Sequence, residues 1–177
     1  MSTNETIKSI LNRRSTRAFD NTKMISSEDL MLIAECGNAA PTGMNRQEWK
    51  FTAISNQEII KKLAGEVIRI LNRSEDYNFY GATALIIASG KTENVFTQQD
   101  CSCALENMFV AAESLNIGSV WINQLKDCLN DSGFRSLLRE IGIPDDYSIV
   151  GSCALGYPLP SAAKTPTPKK NAINVIS

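Results

Sequence analysis

Apolar side chains between Asp100 and Leu115 recur with a helical period: Leu105, Met108, Phe109 and Ala112 stand at i, i+3, i+4 and i+7. That spacing predicts the longest helix of the chain. The same pattern predicts a first helix over residues 5–12, where Ile7, Ile10 and Leu11 fall at helical spacing. A second follows Ser26, which suits an N-cap with Asp29 in the first turn, and runs through Leu30, Ile33 and Ala34 to stop near Gly37. Ile60, Leu63, Val67 and Ile70 mark one face of a third helix, and "SGFRSLLREIG" reads as another that ends at Gly142.

Between these lie shorter runs of strand character. "EWKFTAIS" alternates Trp49, Phe51 and Ala53 with polar neighbours, while "TALIIAS", "GSVWIN" and "YSIVGSCALGYP" are apolar runs bounded by turn residues. Helices and strands in this order predict one central sheet with helices packed on it. Residues 158–171 hold four of the six prolines and read as an extended arm. The closing "AINVIS" is apolar enough to require burial, a sign of exchange between subunits.

Composition narrows the chemistry. At 177 residues, 43% hydrophobic and 21% charged, the chain fits one soluble domain with a substantial core. A net charge of -1 argues against a nucleic-acid partner. "MSTNETIKSI" does not read as a secretory signal, and no apolar run approaches the ~20 residues of a membrane span, so a cytoplasmic protein is expected. Cys36, Cys101, Cys103, Cys128 and Cys153 lack C-x-x-C spacing and read as reduced, mostly core thiols. The chain contains no histidine, which removes Ser-His-Asp and Cys-His hydrolases and every His-ligated metal site. Enzymatic chemistry would then fall to a bound cofactor.

Two stretches carry candidate chemistry. "NRRSTRAFD" packs Arg13, Arg14 and Arg17 around Ser15. If this segment continues the first helix, Arg13 and Arg17 share a face, and guanidinium forks match phosphate oxygens. A solvated, dipole-favoured helix end accounts for the same residues more simply. "APTGMNRQEW" is an ordered loop entering a strand, where Thr42, Asn45 and Gln47 offer donors and Gly43 permits close backbone approach. Neither G-x-G-x-x-G after the first strand nor a Walker A motif is present, so Rossmann and P-loop folds lack support.

Taken in order, "RRSTRAFD", "APTGMNRQEWKF", "GATALIIAS", "QDCSCALENMFVAAESLNIGSVWI" and "IGIPDDYSIVGSCALGYP" resemble the nitroreductase family of FMN-dependent oxidoreductases over nearly the whole chain. The resemblance implies an α+β fold with a central mixed, mainly antiparallel sheet flanked by helices. It also implies a single FMN-binding domain over residues 1–177, with the arm 158–177 exchanged in a homodimer. FMN would be the cofactor and NADH or NADPH the co-substrate. A small oxidant such as a nitroaromatic or quinone would be reduced.

Carried over residue by residue, the resemblance gives Arg13 and Ser15 to the FMN phosphate, with Arg14 in the same motif, and Arg17 to the N1/O2 edge of the isoalloxazine. Pro41, Thr42, Gly43 and Asn45, with Gln47 close behind, match a loop that reaches the flavin from the partner subunit. The backbone of Ile122, Asn123 and Gln124 matches the segment near N5 and O4. Lys169, or its neighbour Lys170, falls where a basic residue closes over the phosphate. Asp100 and Asn107 match the central-helix pattern in a structural role. The chain departs from the family at Glu48, where proline is usual, and at Asn171 in the tail; contacts from residues 68–79 do not align. A flavin-binding sensor without turnover, or a dehalogenase or flavin-destroying oxygenase on the same scaffold, would share these features.

Overall fold

The computed structural model describes residues 4–162 and 172–176. Among these residues six α-helices and four strands follow in the order α1 (Glu5–Asn12), α2 (Ser27–Asn38), β1 (Trp49–Ile54), α3 (Gln57–Leu71), β2 (Ala84–Lys91), α4 (Thr97–Ser114), β3 (Gly118–Ile122), α5 (Gln124–Asp127), α6 (Ser132–Glu140) and β4 (Tyr147–Gly156). Caps fix several starts. The side chains of Asn4, Ser26, Asn56 and Asp131 each accept from a backbone N–H in the first turn of α1, α2, α3 and α6. Asn72, in the left-handed region at φ 49°, ends α3.

The strands form one sheet in the order β1-β2-β4-β3, every neighbour antiparallel. Among the described residues the parallel component is a single bridge, Ser15 to Ser119 on the edge strand β3. Alternate residues of β2 serve two cores. Leu85 and Ile87 meet Leu63 and Val67 of α3, Leu125 of α5, and Phe134 and Leu138 of α6. Ala84, Ile86 and Ala88 meet Leu30 and Ile33 of α2 and Leu105, Met108 and Phe109 of α4. Helices on both faces explain why β2 and β4 are apolar without alternation. β1 follows its alternation at Trp49 and Phe51, which pack on one core, and at Ile54, which packs on the other, while Ala53 is exposed.

Three further expectations change. The central helix begins three residues earlier, at Thr97. The first helix ends at Asn12, with Arg13 as its cap at φ -53° and ψ 137°, so Arg13 and Arg17 are not on one helical face. Ile173, Val175 and Ile176 are 81%, 82% and 91% exposed, so the apolar end is not buried within its own chain. Cys101, Cys128 and Cys153 are buried free thiols, and burial pushes Cys101 up to about 12 and Cys128 up to about 11. Among the described residues, no cluster of His, Cys, Asp or Glu suits a metal and no helix is long and apolar enough to cross a membrane.

Candidate functional site

After α1 the chain leaves helical geometry and runs onto the edge of the sheet. Thr16 N–H donates to Ser119 O at 2.9 Å, and Thr16 itself is buried. Farther on, Phe19 bridges to Pro158 and is buried. These anchors hold Ser15 and Arg17 exposed, with Arg13 and Arg14 half-buried. No protein acceptor binds the Arg17 side chain among the described residues. It lines an open groove of about 360 Å³ with Asn78, Tyr80 and Leu159.

Arg13 is held from below. Its Nε donates to Glu106 Oε1 at 3.0 Å, and its guanidinium carbon lies 5.5 Å from the centroid of Phe109. Phe109 packs on Trp121 with centroids 6.0 Å apart, and Trp121 Nε1 donates to Asn123 Oδ1 at 2.7 Å. Arg13 is thereby joined through two rings to the turn at Ile122, Asn123 and Gln124. Ile122 is buried at the end of β3, Asn123 is exposed with its side-chain oxygen engaged, and Gln124 is half-buried. Sequence reasoning missed Glu106 and Phe109. Their signal was a spacing of three on α4, which resembles any surface charge beside a core ring.

The loop over residues 41–47 stands elsewhere on α4. Gly43 N–H donates to Asp100 Oδ1 at 2.9 Å, Thr42 Oγ1 accepts from Gln47 N–H at 3.3 Å, and Gln47 Nε2 donates to Asn45 Oδ1 at 2.8 Å. Met44, Asn45 and Gln47 all adopt positive φ, between 53° and 55°. Three non-glycine residues in the left-handed region show a loop whose shape is imposed by its contacts. The close approach expected at Gly43 is made by the protein: an added Cβ would stand 2.4 Å from Phe96 Cγ. Its N–H is likewise committed to Asp100, so Thr42, Asn45 and Gln47 present the remaining polar groups, while Pro41 is exposed. Asn107 Nδ2 donates to Cys36 O, which gives that residue a structural contact.

Within one chain, the loop and the arginine segment do not meet through any hydrogen bond or ion pair among the described residues. Asp100 and Phe109 are nine positions apart on α4, so they project about 180° apart around its axis. Lys169 and Lys170 lie outside the described residues.

A four-stranded sheet with helices on both faces, an edge-anchored arginine segment and a positive-φ loop tied to the central helix make up an α+β scaffold. The nitroreductase family model matches residues 10–157, and the chain belongs to that family. A nitroreductase with bound FMN from Bacteroides fragilis is 36% identical, with TM-score 0.90 and coverage of 99% of this chain and 100% of that one. A second, also with bound FMN, from Desulfitobacterium hafniense, is 31% identical, with TM-score 0.86 and the same coverage, 99% and 100%. An Archaeoglobus fulgidus protein, provisionally named an NADH dehydrogenase/NAD(P)H nitroreductase, is 29% identical over 163 residues, covering 87% of this chain and 86% of that protein.

Proposed function

We propose that the chain is an FMN-dependent reductase that works as a homodimer in the cytoplasm, with NADH or NADPH as donor. The observation that carries this reading is the edge-anchored Arg13–Arg17 segment, tied by Phe109 and Trp121 to the Asn123 turn. Its donor set suits an organic phosphate: guanidinium groups at Arg13 and Arg14, an exposed hydroxyl at Ser15, and a separate exposed cation at Arg17.

Bound FMN would supply the redox chemistry, accepting a hydride from NAD(P)H at N5 and, once the nicotinamide has left, passing it to a nitroaromatic, quinone or similar oxidant in ping-pong order. The protein's part is binding and electrostatics. Arg13 and Ser15 hold the phosphate, with Arg14 beside them, and Lys169 or Lys170 is assigned to the same group from the family pattern. Arg17 sets a fixed positive charge against the N1/O2 edge, where negative charge collects on reduction. Backbone groups of Ile122, Asn123 and Gln124 meet the N5/O4 side. No protein base is needed, which suits a chain without histidine.

Pro41, Thr42, Gly43, Asn45 and Gln47 complete the pocket from the partner subunit. The separation of this loop from the arginine segment around α4 supports that assignment. The arm over 158–177 exchanges between the subunits, and the exposed Val175 and Ile176 fit a segment that is covered by a second copy.

Purified protein is expected to be yellow, to show flavin absorption, and to bleach anaerobically with NADH or NADPH. A protein that stays colourless after FMN is added refutes the reading. A yellow protein that neither nucleotide bleaches is instead a flavin carrier or sensor.

A further inference from the structure

Arg13 could bind an anion as a freely waving side chain, but its surroundings hold it still. Its side chain is 28% exposed. Glu106 Oε1 takes the Nε hydrogen at 3.0 Å, and the buried Phe109 ring lies beside the guanidinium at 5.5 Å. Both residues come from α4, one turn apart, so a single rigid element sets the position and the plane of the guanidinium.

An arginine has five N–H donors, of which Glu106 uses the one on Nε. Among the described residues no acceptor is bonded to Nη1 or Nη2. The pair of Nη groups is the fork that grips two phosphate oxygens at once. We infer that Glu106 is a positioning residue, which presets Arg13 so that its Nη fork faces the phosphate of the flavin. The inference rests on the reading that Arg13 binds that phosphate.

Two effects of Glu106 oppose each other. Fixing the rotamer beforehand removes an ordering cost that binding would otherwise carry. The carboxylate also repels a phosphate. That repulsion acts from the Nε side and from a side chain 52% exposed, where water and salt screen it, whereas the hydrogen bond acts at contact. Orientation wins. An exposed ion pair contributes little to folding, so its removal leaves the protein folded.

The test compares FMN with riboflavin, which has the same ring system and no phosphate. Dissociation constants for both are measured by flavin fluorescence on the full chain, for the wild type and for Glu106→Ala, Glu106→Gln and Arg13→Ala, with a melting curve for each. Glu106→Ala is expected to weaken FMN roughly three- to tenfold and to leave riboflavin within about twofold. Glu106→Gln keeps an acceptor for Nε and is expected to restore FMN binding to within about twofold of wild type. Equal or tighter FMN binding by Glu106→Ala overturns the inference, because Glu106 is then idle or a competitor. Parallel losses for FMN and riboflavin overturn it too, because the effect is then not on the phosphate. If Arg13→Ala leaves the FMN-to-riboflavin ratio unchanged, the phosphate reading itself fails and takes the role of Glu106 with it.

Discussion

The buried carboxylate of Asp100 accepts a hydrogen bond at 2.9 Å from the backbone N–H of Gly43, fifty-seven residues away, and so fastens the strained loop to the first turn of the central helix. Met44 and Asn45 follow directly, both at positive φ, a conformation that non-glycine residues hold only when their surroundings impose it. Asp100→Ala removes that hold and leaves a partly buried N–H without its acceptor. A loss of about 1.5–3 kcal/mol in urea unfolding is expected, as for a bond to a charged group. Asp100→Asn retains an acceptor and should lose less. Hydrogen exchange at Gly43 reports the local effect: it should accelerate strongly in the alanine variant.

Gly151 lies against the face of the Trp121 indole, where an added Cβ would stand 2.7 Å from Cε2, Cζ2 and Nε1. These are ring atoms between β4 and α4, and the ring has nowhere to rotate without leaving Phe109 and Asn123. Gly151→Ala should cost about 1–3 kcal/mol through overpacking, measured by thermal or chemical unfolding. Tryptophan fluorescence should shift with it, since Trp121 must move. A variant of unchanged stability and emission would show that the indole is not confined.

Ser152 sits in a cross-strand row with Ile87 and Ile122, fully buried, and its hydroxyl has no hydrogen-bond partner among the described residues. A hydroxyl desolvated in this way opposes folding. Ser152→Ala should therefore raise stability by up to about 1 kcal/mol, read as a higher urea midpoint at unchanged slope. A destabilised variant would mean that the hydroxyl is paired.

Asp131 has two tasks at the start of α6. It accepts from Phe134 N–H at 2.9 Å as the helix cap, and from Arg69 Nη2 at 2.7 Å across to α3. The hydrogen bonds from Arg69, followed by that from Phe134, hold its carboxyl down to about 2, below the ordinary 3.8. A carboxyl lowered on folding contributes stability that is fully present above its unfolded value and lost as the pH falls through the folded one. Stability should therefore drop as the pH falls from about 4 toward about 2. Asp131→Asn should be less stable near neutrality and show a shallower drop across that window, measured by unfolding at a series of pH values.

Local signals explain what could be read from the chain. The helices α1 and α2 begin at Asn4 and Ser26, side chains that cap through neighbours three residues away, and β2 announces itself by an unbroken apolar run. The course of residues 13–17 was hidden because its partner is distant: Thr16 bonds to Ser119, and nothing near Arg13 foretells a sheet edge. The alternation of Trp49, Phe51 and Ala53 marked β1 correctly, but it did not show that Ile54 packs into a second core on the opposite face. At the site, the arginines and the loop stood out by composition. Glu106 and Phe109, which hold Arg13, look like ordinary helix residues until the chain is folded, whereas Asp100 is marked by the family's central-helix pattern and its bond to Gly43 is not.

The bridge between Ser15 and Ser119 gives the arginine segment a second task, unrelated to any ligand. It covers backbone on the outer side of β3 that would otherwise be open to pairing with another chain. Residues 14–16 thus cover the edge of β3 against non-specific strand pairing, a contact separate from the proposed dimer, in the segment that carries Arg13, Arg14 and Arg17. A backbone change there, such as proline at Thr16, removes the Thr16 N–H bond and uncovers the strand in one event. Loss of anion binding and loss of solubility are then expected to arrive together, so this short stretch is constrained on both counts.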